Sequence, residues 1–253
     1  MEDPLNKFLE QKFLSYADLT SVNVCENGEP MVCLGDDHGV SVYAFDERME
    51  PYTGKSIYVR EGVAHKLQGA QKFLASILPH GQLEIVYGYR HLNIQKTIYD
   101  KIHAEVCAKH PHLPEEEVKE RVHFYIAVPE VSGHPTGGAV DVRVRIGERL
   151  VDMGTEAHDF VPESYALSPF ISKDAWHNRQ LLRIAMTSVG FAPFDGEWWH
   201  FSYGDREWAK YYGRSHAIYS QIAFSSTPSP CRPDSSRTQS RLVPSPTPAK
   251  GIG

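Results

Sequence analysis

Two short segments of the chain concentrate side chains able to do chemistry. The first reads Ser132-Gly133-His134-Pro135-Thr136-Gly137-Gly138-Ala139-Val140-Asp141, and the second Gly196-Glu197-Trp198-Trp199-His200-Phe201. His134 and Asp141 are seven positions apart, an odd separation that sets them on opposite faces of any continuous strand. Pro135, Gly137 and Gly138 rule out a continuous strand and imply a turn, which lets imidazole and carboxylate converge. Glu197 and His200, three apart, would also oppose each other on a strand. Pro193, Asp195 and Gly196 precede them, so Glu197 is expected at a loop edge and His200 inside a strand.

Nitrogen and oxygen donors of this kind suit zinc. A catalytic zinc takes three protein ligands and keeps a fourth position open. His134, Asp141 and His200 are therefore read as ligands of one Zn2+ per chain. Glu197 is left as a free carboxylate that can take a proton from water and hand it on. Singly, His134 reads as a turn histidine in a Gly-rich loop and His200 as a core histidine among aromatics. Together, the four residues in strand-edge contexts favour the metal. Trp198 and Trp199 are assigned to core and pocket wall.

The elements that must position these groups follow from periodicity. Leu5, Phe8, Leu9 and Phe13 predict an opening helix over 4–16, and Val63, Leu67, Ala70, Phe73, Leu74 and Ile77 predict one over 62–78, stopped by Pro79-His80-Gly81. Leu83 to Tyr87 reads as a buried strand ending at Gly88-Tyr89-Arg90. A helix with Leu92, Ile94, Ile98, Ile102 and Val106 on one side follows, and a third starts at Pro114 with three glutamates in its first turn. Residues 122–128 read as a strand, and Ala139 to Arg145 alternates as a half-exposed one. Asn178 to Val189 reads as a helix closed by Gly190, and Trp198 to Tyr203 as a core strand. The 20–60 region is irregular, with strand-like pieces such as Val40 to Phe45. No regular βαβ repeat is visible, so the class is α+β: a small mixed or antiparallel sheet with flanking helices. From about Ser225 the Ser/Pro-rich composition cannot bury enough apolar surface to order itself. The chain thus divides into a domain over 1–224 and a disordered tail over 225–253.

The set Ser132-x-His134-x-x-x-Gly138-Ala139-x-Asp141 and Glu197-Trp-Trp-His200 resembles the VanX-type D-alanyl-D-alanine dipeptidases and their zinc D,D-peptidase relatives. The resemblance runs from Tyr58-Val59-Arg60-Glu61 through Gly88-Tyr89-Arg90 to Trp208. It implies zinc on His134, Asp141 and His200, general acid/base work for Glu197, and hydrolysis of D-Ala-D-Ala by zinc-activated water. It also implies that Arg90 stabilises the developing oxyanion, a role suited to a guanidinium; a structural ion pair at a strand end is the other reading. Ser132 matches a serine that helps bind substrate, or is an ordinary turn residue. The family's aspartate for the substrate amine falls on Asp159 in Met153-Gly154-Thr155-Glu156-Ala157-His158-Asp159-Phe160. That loop has one residue more than the family pattern, which leaves Glu156 competing with Asp159.

Two alternatives stand beside this reading. One is a carboxypeptidase or endopeptidase of the same group that trims peptidoglycan peptides; the other is a non-catalytic zinc-binding interaction domain. Retention of Glu197 and Arg90 argues against the second, since a structural zinc needs neither. No Gly-x-Ser-x-Gly elbow, Ser-x-x-Lys pair or His-Glu-x-x-His helix occurs. Of the other histidines, His91 beside Arg90 and His158 beside Asp159 are possible outer partners of the site. The net charge of −6 gives no sign of nucleic-acid binding, and no apolar run is long enough to span a bilayer. Four cysteines without a CxxC pair read as free thiols, and the acidic start lacks the features of a secretory signal. A cytoplasmic protein acting on a small D-amino-acid peptide is expected.

Overall fold

The computed structural model describes residues 3–44 and 46–226. Its helices are α1 (Pro4–Glu10), α2 (Tyr16–Thr20), α3 (Glu50–Thr53), α4 (Glu61–Ile77), α5 (Leu92–Lys109), α6 (Glu115–His123), α7 (Lys173–Ser188) and α8 (Arg206–Tyr211). Its strands are β1 (Asn23–Val24), β2 (Met31–Cys33), β3 (Ser41–Val42), β4 (Tyr58–Arg60), β5 (Gly81–Tyr87), β6 (Ala139–Ile146), β7 (Arg149–Leu150), β8 (Ala192–Pro193), β9 (His200–Ser202) and β10 (His216–Ala217). The main sheet runs β3-β5-β6-β9-β8, with β7 hairpinned onto β6. Only β3 and β5 pair in parallel within it. The α+β class with a mixed sheet is as expected.

Strand β6 organises the interior. Val140, Val142 and Val144 pack with Val63, Leu67, Ala70 and Leu74 of α4 and with Leu182, Ala185 and Met186 of α7. The other face carries Ala139, Asp141, Arg143 and Arg145, and it is not the half-exposed face that alternation suggests: Asp141 and Arg145 are buried. Charge pairing makes this possible. Glu84 on β5 accepts from Arg143 Nε at 2.6 Å and from Arg145 Nη1 at 2.7 Å, so carboxylate and guanidinium groups compensate one another's lost hydration.

A bulge in β5 then sets the site. Ile85 pairs with Val142, yet Tyr87 rather than Val86 pairs with Asp141. Two β5 residues oppose one on β6, which turns the Tyr87 side toward Asp141. On its other edge, β6 places Asp141 opposite His200 of β9.

Several boundaries differ from expectation. The opening helix stops at Glu10, and a Ser15-capped α2 begins after a turn. Residues 122–128 form no strand: α6 runs to His123, and Tyr125 and Ile126 still donate to the Val122 carbonyl. Val118 and Val122 face Val106 of α5, so an amphipathic helix accounts for the apolar run. Helix α7 starts five residues earlier than predicted, where Ser172 accepts from Ala175 N. Cys25 and Cys107 are free thiols, as expected, and Cys231 lies outside the described residues. The tail from 227 onward lies outside the described residues. Among the described residues no helix is long and apolar enough to cross a membrane.

Gly138 joins the turn that carries His134 to β6, and a Cβ there would come within 2.4 Å of the Tyr203 carbonyl. Because the obstacle is backbone just past the end of β9, Gly138→Ala is expected to cost about 1–3 kcal/mol. Urea unfolding checks this; an unchanged midpoint would show that the β6–β9 junction has slack.

Candidate metal centre

The turn before β6 is a short 3-10 helix, His134–Thr136, ended by Gly137 at φ +74. A left-handed residue there suits glycine alone among the neighbours, and it reverses the chain so that His134 meets Asp141. The His134 Nδ1–H donates to the Gly88 carbonyl at 2.8 Å, which leaves Nε2 facing Asp141 Oδ1 at 3.5 Å. His200 opens β9, and its Nδ1 lies 3.0 Å from the same Oδ1. Glu197 stands on the turn before it, with its carbonyl accepting from His200 N. This is the loop-edge and strand placement the spacing predicts.

Donor atoms of His134, Asp141 and His200 all lie within 4.8 Å of one another, and all three residues are buried. Three donors about 2.1 Å from one tetrahedral ion sit about 3.4 Å apart, so the spacing and the N,N,O chemistry fit zinc.

Electrostatics follow from burial and proximity. Burial would raise the Asp141 carboxyl, but the imidazoles of His134, His158 and His200 gathered around it hold it well below the usual carboxylate range. Burial pushes His134 down to about 4. Burial opposes the charge on His200 as well, yet bonds to Asp141 and Glu207 carry it well above the ordinary histidine value. Burial pushes the Glu197 carboxyl up to about 7; Asp141 adds to this, while His200 and His158 oppose it.

Arg90 reaches the same place from the end of β5. Its guanidinium lies over the Tyr87 ring at 4.5 Å, and its Nη1 donates to Gln95 Oε1 at 2.8 Å. Its charge contributes to the lowering of His134. Arg90 Nε is buried without a hydrogen-bond partner. Ser132 is buried, and its carbonyl accepts from Gln221 Nε2 at 3.0 Å. Asp159 is exposed and caps its own loop, with Oδ2 accepting from Glu156 N at 3.2 Å; Glu156 is exposed too.

The neighbour of Asp159 is the one that reaches the centre. His158 Nε2 is 2.9 Å from Asp141 Oδ2. It has φ +69, a strained value for a residue with a side chain, of the kind that clusters at working sites. Sequence reading named His158 only as an outer possibility. Glu207 was missed: its Oε2 accepts from His200 Nε2 and from Ser202 Oγ, each at 3.2 Å. No local spacing announces it, because it comes from α8 after a loop.

Convergent N,N,O donors with a free carboxylate and a guanidinium beside them define a mononuclear metallohydrolase. The chain belongs to the D-ala-D-ala dipeptidase family, Peptidase_M15, whose model matches residues 41–221. It is 32 % identical to a D-alanyl-D-alanine dipeptidase of Synechocystis sp. (strain ATCC 27184 / PCC 6803 / Kazusa), over 81 % of this chain and 94 % of that one. It is 34 % identical to a D-alanyl-D-alanine dipeptidase of Escherichia coli (strain K12), over 31 % of this chain and 41 % of that one. Among solved structures it is similar to the LdcB LD-carboxypeptidase, with TM-score 0.43, 22 % identity and coverage of 75 % and 77 %. The family is zinc-dependent, and the donor set agrees.

Zinc taken up by these three donors would carry a proton cost that they specify. Near neutral pH, His134 is neutral and Asp141 ionised, whereas His200, raised above its ordinary value, still holds a proton that Nδ1 must lose. Zinc affinity should therefore rise with pH, about tenfold per unit while His200 is protonated in the zinc-free protein. Titration calorimetry in buffers of different ionisation enthalpy should show about one proton released per zinc from His200, with a further fraction from Glu197. Release of none would contradict the charged His200.

Proposed function

We propose that this chain is a zinc dipeptidase that hydrolyses D-Ala-D-Ala, with His134, Asp141 and His200 as ligands and Glu197 as general acid/base. The observation that carries the reading is the three-donor cluster with Glu197 beside it, held near neutrality by burial. Zinc held by His134, Asp141 and His200 would supply Lewis-acid chemistry to a bound carbonyl and to water. Glu197 would accept a proton from the attacking water and hand it to the leaving amine; in the zinc-free protein burial holds its carboxyl up at about 7.

Arg90 directs positive charge at the developing oxyanion, and its planar fork allows it to keep Gln95 while doing so. Its buried Nε without a partner leaves a donor free for substrate. Ser132 contributes to substrate binding. The substrate amine is assigned to Asp159, whose carboxylate stands exposed next to His158; Glu156 is the competitor within that loop. The division at residue 224 belongs to this reading, although Ser226 N still donates to Tyr52 O at 2.9 Å. The cytoplasm is the expected location, and cell fractionation tests it.

Glu197→Gln is expected to keep zinc and to lower kcat by about 10²–10⁴-fold. Metal analysis and turnover on one preparation check both halves, and unchanged turnover would remove Glu197 as the base. Incubation with D-Ala-D-Ala and, separately, with a peptidoglycan pentapeptide ending in D-Ala-D-Ala should release D-alanine from the dipeptide alone. Release only from the pentapeptide would make the chain a carboxypeptidase.

A further inference from the structure

Glu207 is a carboxylate with little solvent access, used by no step above. Its side chain is 14 % exposed, at a cost in lost hydration that must be offset. Three features offset it. The carboxylate lies in the first turn of α8, where the helix dipole favours negative charge. It accepts from Ser202 Oγ at 3.2 Å, and it accepts from His200 Nε2 at 3.2 Å. Asp205, the N-cap of α8, accepts from Trp208 N at 2.9 Å and so anchors the turn that carries Glu207.

We infer that Glu207 is a positioning residue for the metal ligand His200. An imidazole has two nitrogens, and the one that carries hydrogen is fixed by its outer partner. A carboxylate at Nε2 holds the hydrogen there and makes Nδ1, 3.0 Å from Asp141 Oδ1, the nitrogen that gives up its hydrogen to a metal. Ser202, two residues along β9 from His200, holds the same carboxylate oxygen. Ligand, outer partner and anchor thus form one unit between β9 and α8. The other imidazole is set by a neutral group, since the Gly88 carbonyl takes the His134 Nδ1 hydrogen. The two histidines present different nitrogens, and only His200 has an ionised partner to raise its basicity as a ligand.

This inference rests on His200 being a zinc ligand, so the test separates the two. Zinc affinity is measured by competition with a chromophoric chelator for the wild type, Glu207→Met, Glu207→Gln and His200→Ala. Glu207→Met should bind zinc about 10- to 100-fold more weakly. Glu207→Gln keeps an amide oxygen that accepts the same hydrogen and should return to within about threefold of wild type. Retained affinity in Glu207→Met with lost affinity in His200→Ala would overturn the positioning role and leave the zinc site standing. Retained affinity in both would overturn the site, and the role with it. Nitrogen NMR of the zinc-loaded wild type reads the same point without any variant and applies even if Glu207→Met fails to fold. His200 should show a hydrogen on Nε2 and a metal-shifted Nδ1; metal on Nε2 would overturn the inference.

Discussion

Asp141 occupies the middle of a three-strand register, with Tyr87 across one ladder and His200 across the other. Cross-strand partners bring their Cβ atoms to about 5 Å, so backbone pairing alone delivers His200 to the carboxylate. His134 then needs only the Gly137 reversal to arrive from the same strand's own entry. The bulge in β5 determines which side chain flanks Asp141, and it sits directly before the Gly88 carbonyl that fixes His134 and the Arg90 that approaches from the strand end. A slip of one residue in either ladder would turn Asp141 toward Val63 and Leu67, and donor set and core would fail together.

Burying that carboxylate is tolerable only because every oxygen is spoken for. Oδ1 faces His134 and His200, while Oδ2 faces His158. Such a cluster is costly if one member is removed and the rest stay buried. The strained backbone at His158 belongs to the same balance: the loop gives up local comfort to place an imidazole on the free oxygen. Neighbouring Asp159 faces solvent, so one residue of loop length separates a group that holds the ligand from a group at the rim.

The core of the site was legible in sequence for a local reason. Odd spacings at His134 to Asp141 and Glu197 to His200, with Pro and Gly between or before them, describe turns that the backbone indeed makes. Helices α4, α5 and α7 were visible because their apolar stripes are long. The run 122–128 was misread because Val122, Phe124 and Ile126 suit a strand and a helix end equally, and only packing against α5 decides. Arg143 and Arg145 suggested an exposed face because their partner, Glu84, lies on another strand. His158 and Glu207 reach the centre through tertiary contacts with Asp141 and His200, and no spacing within one segment encodes that.

The ligand-bearing turn is also held from behind by the end of the described chain. Ile222 N donates to the Pro135 carbonyl and Gln221 Nε2 to the Ser132 carbonyl, while Tyr219 Oη donates to Glu29, whose own carbonyl accepts from the Arg60 that bonds the Thr136 carbonyl. These braces follow all three metal donors in chain order. During synthesis, His134, Asp141 and His200 leave the ribosome before the segment that fixes their turn. The donor set is therefore complete in chain order before the segment that braces its turn has been made.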